Sequence, residues 1–431
     1  MNTMGTCAPA TSRAARGSSR ARVAPLAALM AAALAALPGT ALADETAPEP
    51  EQKGLIAGGK PGLALRYRLE TVDQDGFAED AEASPLRIRL NYRSGDWRGF
   101  GFFAEYDYVV AVPWDDYNEG GGNTPDRAQY PVVADPEGGD LNQAYVQWQG
   151  EAGTLVRAGR ERIIYDNARF VGNVGWRQNE QTYDGVYVQH KTGGYDLQAA
   201  WVGQVNRIFG DDVPDGQHDN DTWLLNASKD TAGVGKLVVY LYDIDNRDTA
   251  SFSTLSAGLR FTSELKTDFA TLGLAAEFAH QVDAHDNPVD YSANYYRADL
   301  SAALPYLTPY LGYESLGGND GRAGAAFRTP LATLHAFNGW ADKFLATPDA
   351  GLNDFFVGVK GKLGAWSWDL LYHDFAAESG PGSFGDEIDA SLSRKFGERV
   401  GLLLKAAVFD GDAGSPYLDT TKVWVQLTFD L

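Results

Sequence analysis

The chain has 431 residues, with 36 lysines and arginines against 58 aspartates and glutamates and a formal net charge of −22. So acidic a protein is a poor partner for nucleic acid. An anionic substrate stays open, because only the charges that line a path set its local field.

Residues 1–43 carry Arg13, Arg16, Arg20 and Arg22, an apolar run over 23–37, Pro38 and Gly39, and A-L-A at 41–43. That is the layout of a secretory signal peptide, and its run is shorter than the ~20 residues of a spanning helix. Cleavage after Ala43 is expected to remove the only cysteine, Cys7. Neither a disulfide framework nor a thiolate metal site then follows. The remainder keeps 32 basic against 58 acidic residues, a net charge of about −26. It holds no second apolar run of spanning length, so it can enter a membrane only as a closed β-barrel, in which every backbone group is satisfied.

Residues 44–60 are acidic and then Gly-rich, without periodicity, and read as a disordered periplasmic leader. Alternation begins beyond them. Leu65, Tyr67 and Leu69 share one face and Arg66, Arg68 and Glu70 the other; Leu86, Ile88, Leu90 and Tyr92 oppose Arg87, Arg89, Asn91 and Arg93. A period of two between apolar and charged residues is the pattern of a strand between lipid and water.

Similar segments recur to the end of the chain, about eighteen in all over 61–431, and predict an all-β fold: a single antiparallel up-and-down transmembrane barrel. Short turns near 94, 191, 230, 362 and 396 alternate with long connections at 113–139, 163–181, 205–221, 282–290 and 317–351. Tight periplasmic turns and long outer loops fit an outer-membrane barrel with both termini in the periplasm. No sequence repeat of fixed period, as a propeller or solenoid would show, is present. The last strand places Val423, Val425, Leu427, Phe429 and Leu431 opposite Lys422, Trp424, Gln426, Thr428 and Asp430.

One connection stands apart. The stretch 159–185 reads G-R-E-R-I-I-Y-D-N-A-R-F-V-G-N-V-G-W-R-Q-N-E-Q-T-Y-D-G. It sets Phe170, Val171, Val174 and Trp176 among Arg169, Asn173, Arg177, Gln178, Asn179, Glu180 and Gln181, too apolar and too rich in hydrogen-bonding groups for a merely solvated loop. It reads as a constriction loop folded into the barrel, or else as a surface loop packed on its own aromatics. Its core, D-N-A-R-F-V-G-N-V-G-W-R-Q-N-E-Q-T-Y-D (166–184), resembles the most recognisable segment of the bacterial alginate export family of outer-membrane β-barrels. Y-P-V-V-A-D-P-E-G-G-D-L-N-Q-A-Y (130–145) and T-L-H-A-F-N-G-W-A-D-K-F-L (333–345) resemble the same family in the same order. The resemblance implies a cationic conduit for a polyuronate, and barrels of this kind are inserted by the barrel assembly machinery. Leu431 departs from the usual aromatic terminal residue.

If apolar faces point outward, the lumen receives Arg66, Arg68, Arg87, Arg89 and Arg93 from the first two strands and Lys405 and Lys422 from the last two, a basic stripe that Arg160, Arg169 and Arg177 extend. Arginines bind carboxylate through paired hydrogen bonds, which water keeps weak enough to release; the other reading is that they pair with lumenal acids and hold the wall together. Glu105, Asp107, Glu277, Asp369, Glu387 and Asp389 make the lumen mixed in sign, and the face of 183–191 is ambiguous. His335, Phe337 and Trp340, in the long connection 317–351, suggest a short helix or compact lid that narrows the mouth or caps the rim.

Acidic clusters at 73–82, 115–119 and 211–221 read as solvated outer loops without the spacing of a calcium loop. Six scattered histidines and the absence of H-E-x-x-H and G-x-S-x-G leave no catalytic residue, metal site or cofactor to assign. The expectation is an outer-membrane channel passing a hydrophilic, anionic saccharide by passive diffusion, among membrane lipid and lipopolysaccharide. The alternatives are a nutrient-uptake porin for small solutes and, from another class, a barrel-embedded enzyme.

Overall fold

The structure is a computed structural model and describes residues 54–431. The expected signal peptide and residues 44–53 lie outside that range. Gly54–Ala57 forms a single helical turn, α1, which Gly95 N–H caps at the Leu55 carbonyl (2.8 Å) and the Tyr92 hydroxyl at the Ile56 carbonyl (2.6 Å). The leader is therefore ordered from residue 54, and the first strand has already begun at Lys60.

Eighteen strands follow. They are β1 (Lys60–Gln74), β2 (Ala81–Arg93), β3 (Phe100–Asp116), β4 (Gly138–Gln149), β5 (Thr154–Glu161), β6 (Thr182–Thr192), β7 (Tyr195–Asn206), β8 (Gln217–Thr231) and β9 (Gly235–Ile244). The second half comprises β10 (Thr254–Lys266), β11 (Thr271–Asp283), β12 (Ser292–Ala303), β13 (Leu307–Leu316), β14 (Leu352–Leu363), β15 (Trp366–Ala376), β16 (Ser383–Phe396), β17 (Val400–Gly411) and β18 (Thr420–Asp430). Each pairs antiparallel with its sequence neighbours, and β1 pairs with both β2 and β18, for example Tyr67 with Leu86 and Leu427, so the sheet closes without an edge. Connections such as 193–194 and 364–365 gather at the end that holds Gly54 and Leu431, and those at 117–137, 162–181 and 317–351 at the other.

Side-chain exposure inverts the usual order. Leu90, Leu300 and Ile388 are each about half exposed (51%, 51% and 52%), whereas Arg68, Glu70 and Asp389 are at 0%. A wall that shows leucine outward and buries charge inward matches lipid outside and a polar lumen inside. Exposed Trp97, Phe100, Trp148, Phe269 and Tyr306 ring the short-turn end, and Trp114, Trp201, Trp223, Tyr296 and Tyr313 stand nearer the long loops, the two girdles expected at membrane interfaces.

Three local expectations are corrected. The long connection expected from 113 begins only after Asp116, because pairing resumes beyond Pro113 through a bulge at Ser84, whose hydroxyl accepts from Trp114 N–H (2.8 Å) and donates to the Trp114 carbonyl (3.0 Å). Asp115 and Asp116 therefore sit on β3; Asp219 and Asp221 likewise sit on β8, and Asp73 and Glu82 on β1 and β2, rather than in solvated loops. The ambiguous face of 183–191 has its cause in a register shift between Asp184 and Gly185, which breaks the alternation of β6.

Candidate functional site

Two of the long connections turn into the barrel. The first, 162–181, leaves β5 and crosses to the wall formed by β1 and β2. Its path needs left-handed backbone at Asp166, Ala168 and Val174 (φ 53°, 63° and 49°). For a β-branched valine this is strained by roughly 1–3 kcal/mol and persists only where the surroundings over-determine it. They do so here: Val174 N–H donates to Thr333 Oγ1 (3.1 Å) and its carbonyl accepts from Arg177 N–H (3.1 Å).

The first-strand arginines are the clamp for this loop. Arg66 donates through Nε to Gln178 Oε1 (2.9 Å), through Nη1 to the Gly175 carbonyl (2.8 Å) and through Nη2 to the Arg177 carbonyl. Arg68 donates to the Trp176 carbonyl and stacks 3.9 Å from the indole centroid. Arg87 donates to the Gln178 carbonyl (3.1 Å), and Arg89 binds Asp107 (2.6 Å) and Glu180 (2.9 Å). Gln178 N–H is accepted by Asp135 (2.6 Å), and Asn173 reaches Glu180 (3.3 Å); Asn179 is buried beside them. Burial alone would raise the Glu180 carboxyl, but Arg89 and Arg162 outweigh it and hold it at about 2.

The other end of the loop reaches across the lumen. Phe170 lies between Tyr240, Tyr295 and Phe327, with ring centroids 5.1, 5.3 and 5.9 Å away. Arg169 is bound by Glu314 of β13 (2.5 Å) and by Asn338 (3.1 Å). Arg177 pairs with Glu70 (3.2 Å) and Asp342 (3.0 Å).

Asn338 and Asp342 belong to the second loop, 317–351. Expected as a short helix or a compact lid that narrows the mouth or caps the rim, it has the 3-10 turn Leu334–Ala336 and runs inside the barrel, joined to the first loop by a bridge between Val171 and Leu331. Backbone pairing (Gly172 N–H to the Leu331 carbonyl, 2.8 Å) and buried carboxylates draw it inward. Trp340 and Ala341 N–H groups donate to Asp389 (3.3 Å) and Glu387 (2.7 Å). Gly339 permits that approach: its φ is +83°, and a Cβ there would fall 2.4 Å from Glu387 Oε2.

His335 stacks on Trp176 (4.4 Å, 9°) and links Asp342 (Nδ1, 2.7 Å) to Lys405 (Nε2, 2.7 Å). Burial pushes its imidazole down to about 3, with Lys405 and Arg177 reinforcing and Asp342 opposing. The neutral ring can donate at one nitrogen and accept at the other. The Lys405 ammonium lies 4.3 Å from the Trp176 ring and 3.8 Å from that of Trp340, and Lys422 reaches Asp342 (3.0 Å). Phe337 is held under Arg169 and Arg297 (4.9 and 5.2 Å).

The anticipated basic stripe is thus largely occupied by protein: Arg66, Arg68, Arg87, Arg89, Arg169 and Arg177 are at most 8% exposed and spend their donors on the two loops and the acids between them. Arg160 pairs with Asp184 (2.7 Å) and Asp140 (3.6 Å). Arg93 stands apart near the short turns, over Phe103 (4.7 Å). The lumenal cations without an ion pair, among the described residues, include Lys236, Lys360, Lys362 and Lys395, in the short-turn half. Thr308, Ser367, Ser391, Ser393 and Thr428 stand around them. Alternation on β9, β14 and β16 places these lysines on the lumenal face, beside the short turns.

The family model for alginate export matches residues 60–297, more than half of the chain. The chain belongs to the alginate export family. This alginate export family barrel is accordingly a channel of the outer membrane. No curated protein matches it. Among solved structures it is similar to OpdK of Pseudomonas aeruginosa, determined with vanillate (TM-score 0.69, 14% identity, 88% of this chain and 100% of that one). OccAB4 of Acinetobacter baumannii (TM-score 0.68, 13% identity, 88% and 100%) and OccK2 (OpdF) of Pseudomonas aeruginosa (TM-score 0.65, 15% identity, 88% and 99%) are also similar. At these identities the likeness is one of fold.

Proposed function

We propose that the channel passes a hydrophilic, anionic saccharide by passive diffusion, with its long loops facing the cell exterior among lipopolysaccharide and both termini in the periplasm. The observation that carries this reading is the division of lumenal charge. Cations at the level of the loops are bound to protein, while Lys236, Lys360, Lys362 and Lys395, in the short-turn half, lie among hydroxyl groups and make no ion pair with the carboxylates nearby, Glu264, Asp299 and Asp369. Lysines that keep water as their partner attract an anion and release it, as a conducting path requires. No cofactor enters such a process, and insertion falls to the barrel assembly machinery.

A second reading, an uptake porin for small solutes, is favoured by the cross-bracing of the two loops, which narrows the lumen between Arg66 and Glu387. OpdK, whose fold this chain shares, was determined with vanillate, a small anion. Single-channel current and reversal potential under a salt gradient, with and without oligouronates, separate the two. Anion preference with block by oligouronates, both weakened when Lys236, Lys360, Lys362 and Lys395 are changed to Gln, is the expected result. A weakly selective pore indifferent to oligouronates would transfer the reading to the small-solute porin.

A further inference from the structure

The wall between β8 and β14 is hollowed on its inner face. Gly273, Ala275, Ser301 and Gly358 bring small side chains, or none, to neighbouring inward positions, and a cavity of about 650 Å³ opens there toward the short turns. Its size is that of a small-molecule site, and its rim is built of three kinds of group. Tyr310 lies opposite Gly358, so close that a Cβ at 358 would fall 2.4 Å from Tyr310 Cζ. With no side chain beneath it, the ring rests against the wall, and its hydroxyl is held by Asp369 (2.8 Å). Lys360 stands 5.2 Å from the ring centroid, and Lys236 faces it across the cavity. Between them come the acceptors Asp299 and Glu264 with the hydroxyls of Thr262 and Ser301, and Asp230 lines the cavity opposite Lys236 on the neighbouring strand. Arg297, bound to Asp299 (3.0 Å) and Glu314 (3.2 Å), fixes the upper edge.

These groups ask different things of a ligand. An inorganic anion would satisfy the lysines but meet repulsion from Asp299 and Glu264; a neutral sugar would satisfy the acids and leave the lysines without a counter-charge. A hydroxylated ring bearing one anionic group satisfies all of them: its apolar face lies on Tyr310, its hydroxyls donate to the carboxylates, and its anion meets Lys360 or Lys236. We propose that this hollow is a binding subsite for a single sugar unit carrying one negative charge, a sugar acid or a sugar phosphate, as it passes the short-turn half of the lumen. The proposal deepens the reading of the lumen as a saccharide path and rests on it for its place in transport, but the subsite is tested by its own residues.

The test uses the protein extracted from outer membranes and reconstituted in planar bilayers, with glucuronate, glucose 6-phosphate, glucose or inorganic phosphate added on each side in turn. Glucuronate, glucose 6-phosphate or both should interrupt the current, more often from the short-turn side, and the pair identifies which anion the site prefers. Tyr310→Ala and Lys360→Gln should each shorten the interruptions about tenfold, as the loss of one aromatic or charged contact implies. Tyr310→Phe should retain them, which also shows that the wall folds around an altered residue 310. Interruptions unchanged in Tyr310→Ala and Lys360→Gln, equal interruption by inorganic phosphate, or none with any probe would overturn the subsite. The two readings fail separately. An unselective pore with Tyr310-dependent interruptions keeps the subsite and loses the anion path, and an anion-selective pore with Tyr310-independent interruptions does the reverse.

Discussion

Single residues in this lumen act mainly as braces. His335 joins Trp176, Asp342 and Lys405, with Arg177, Lys422 and, beyond the indole, Arg68 completing its charged surroundings. Its imidazole is lowered to about 3, against about 6.5 for an unperturbed histidine. The undocked loop therefore takes up a proton that the docked loop excludes. Docking is at full strength above about pH 6.5 and weakens by up to about 1.4 kcal/mol for each unit of acidification until about pH 3. Open-channel current noise should rise over that interval and do so less in His335→Gln; the same pH dependence in both proteins would remove His335 from the account. None of this was legible in the sequence, where His335 stands among six scattered histidines, because its partners other than Asp342 come from β17, β18 and the other loop.

At the scale of the element, the alternation of Leu and Arg in β1 and β2 settled both secondary structure and facing, and the inward fold of 162–181 was signalled by its mixture of aromatics and hydrogen-bonding groups. What a loop grips was not signalled. Arg66 and Arg68 are spaced like members of a substrate path, but backbone carbonyls of Gly175, Trp176 and Arg177 saturate them. The course of the loop 317–351 was not signalled either, for a related reason: its partners Glu387 and Asp389 lie downstream, and nothing local shows that N–H groups of residues 340 and 341 will bind them. Replacing 168–179 by a short Gly-Ser link should raise open-channel conductance roughly twofold or more, with strand content by circular dichroism preserved. Unaltered conductance would mean that the current does not run past this loop.

For the whole molecule, stability rests on closure and on matching two solvents. Leu300 faces lipid on β12 between the girdle residues Tyr296 and Tyr306, and Ser301 beside it faces the lumen. Leu300→Arg should cost about 2–4 kcal/mol of folding stability in bilayers, whereas Ser301→Arg should cost much less; equal costs in vesicle unfolding would contradict the assigned faces. The sequence by itself determined the all-β class, about eighteen strands, the direction of their faces outside 183–191 and the family, because each depends on local periodicity, on turn chemistry or on motifs contiguous in the chain. Only the tertiary structure decided which lumenal charges are used up and which remain for a solute. Ion pairs such as Arg169 with Glu314 and Arg177 with Asp342 join residues far apart in sequence, and a charge's partner is fixed by distance in space, to which a period of two residues is blind.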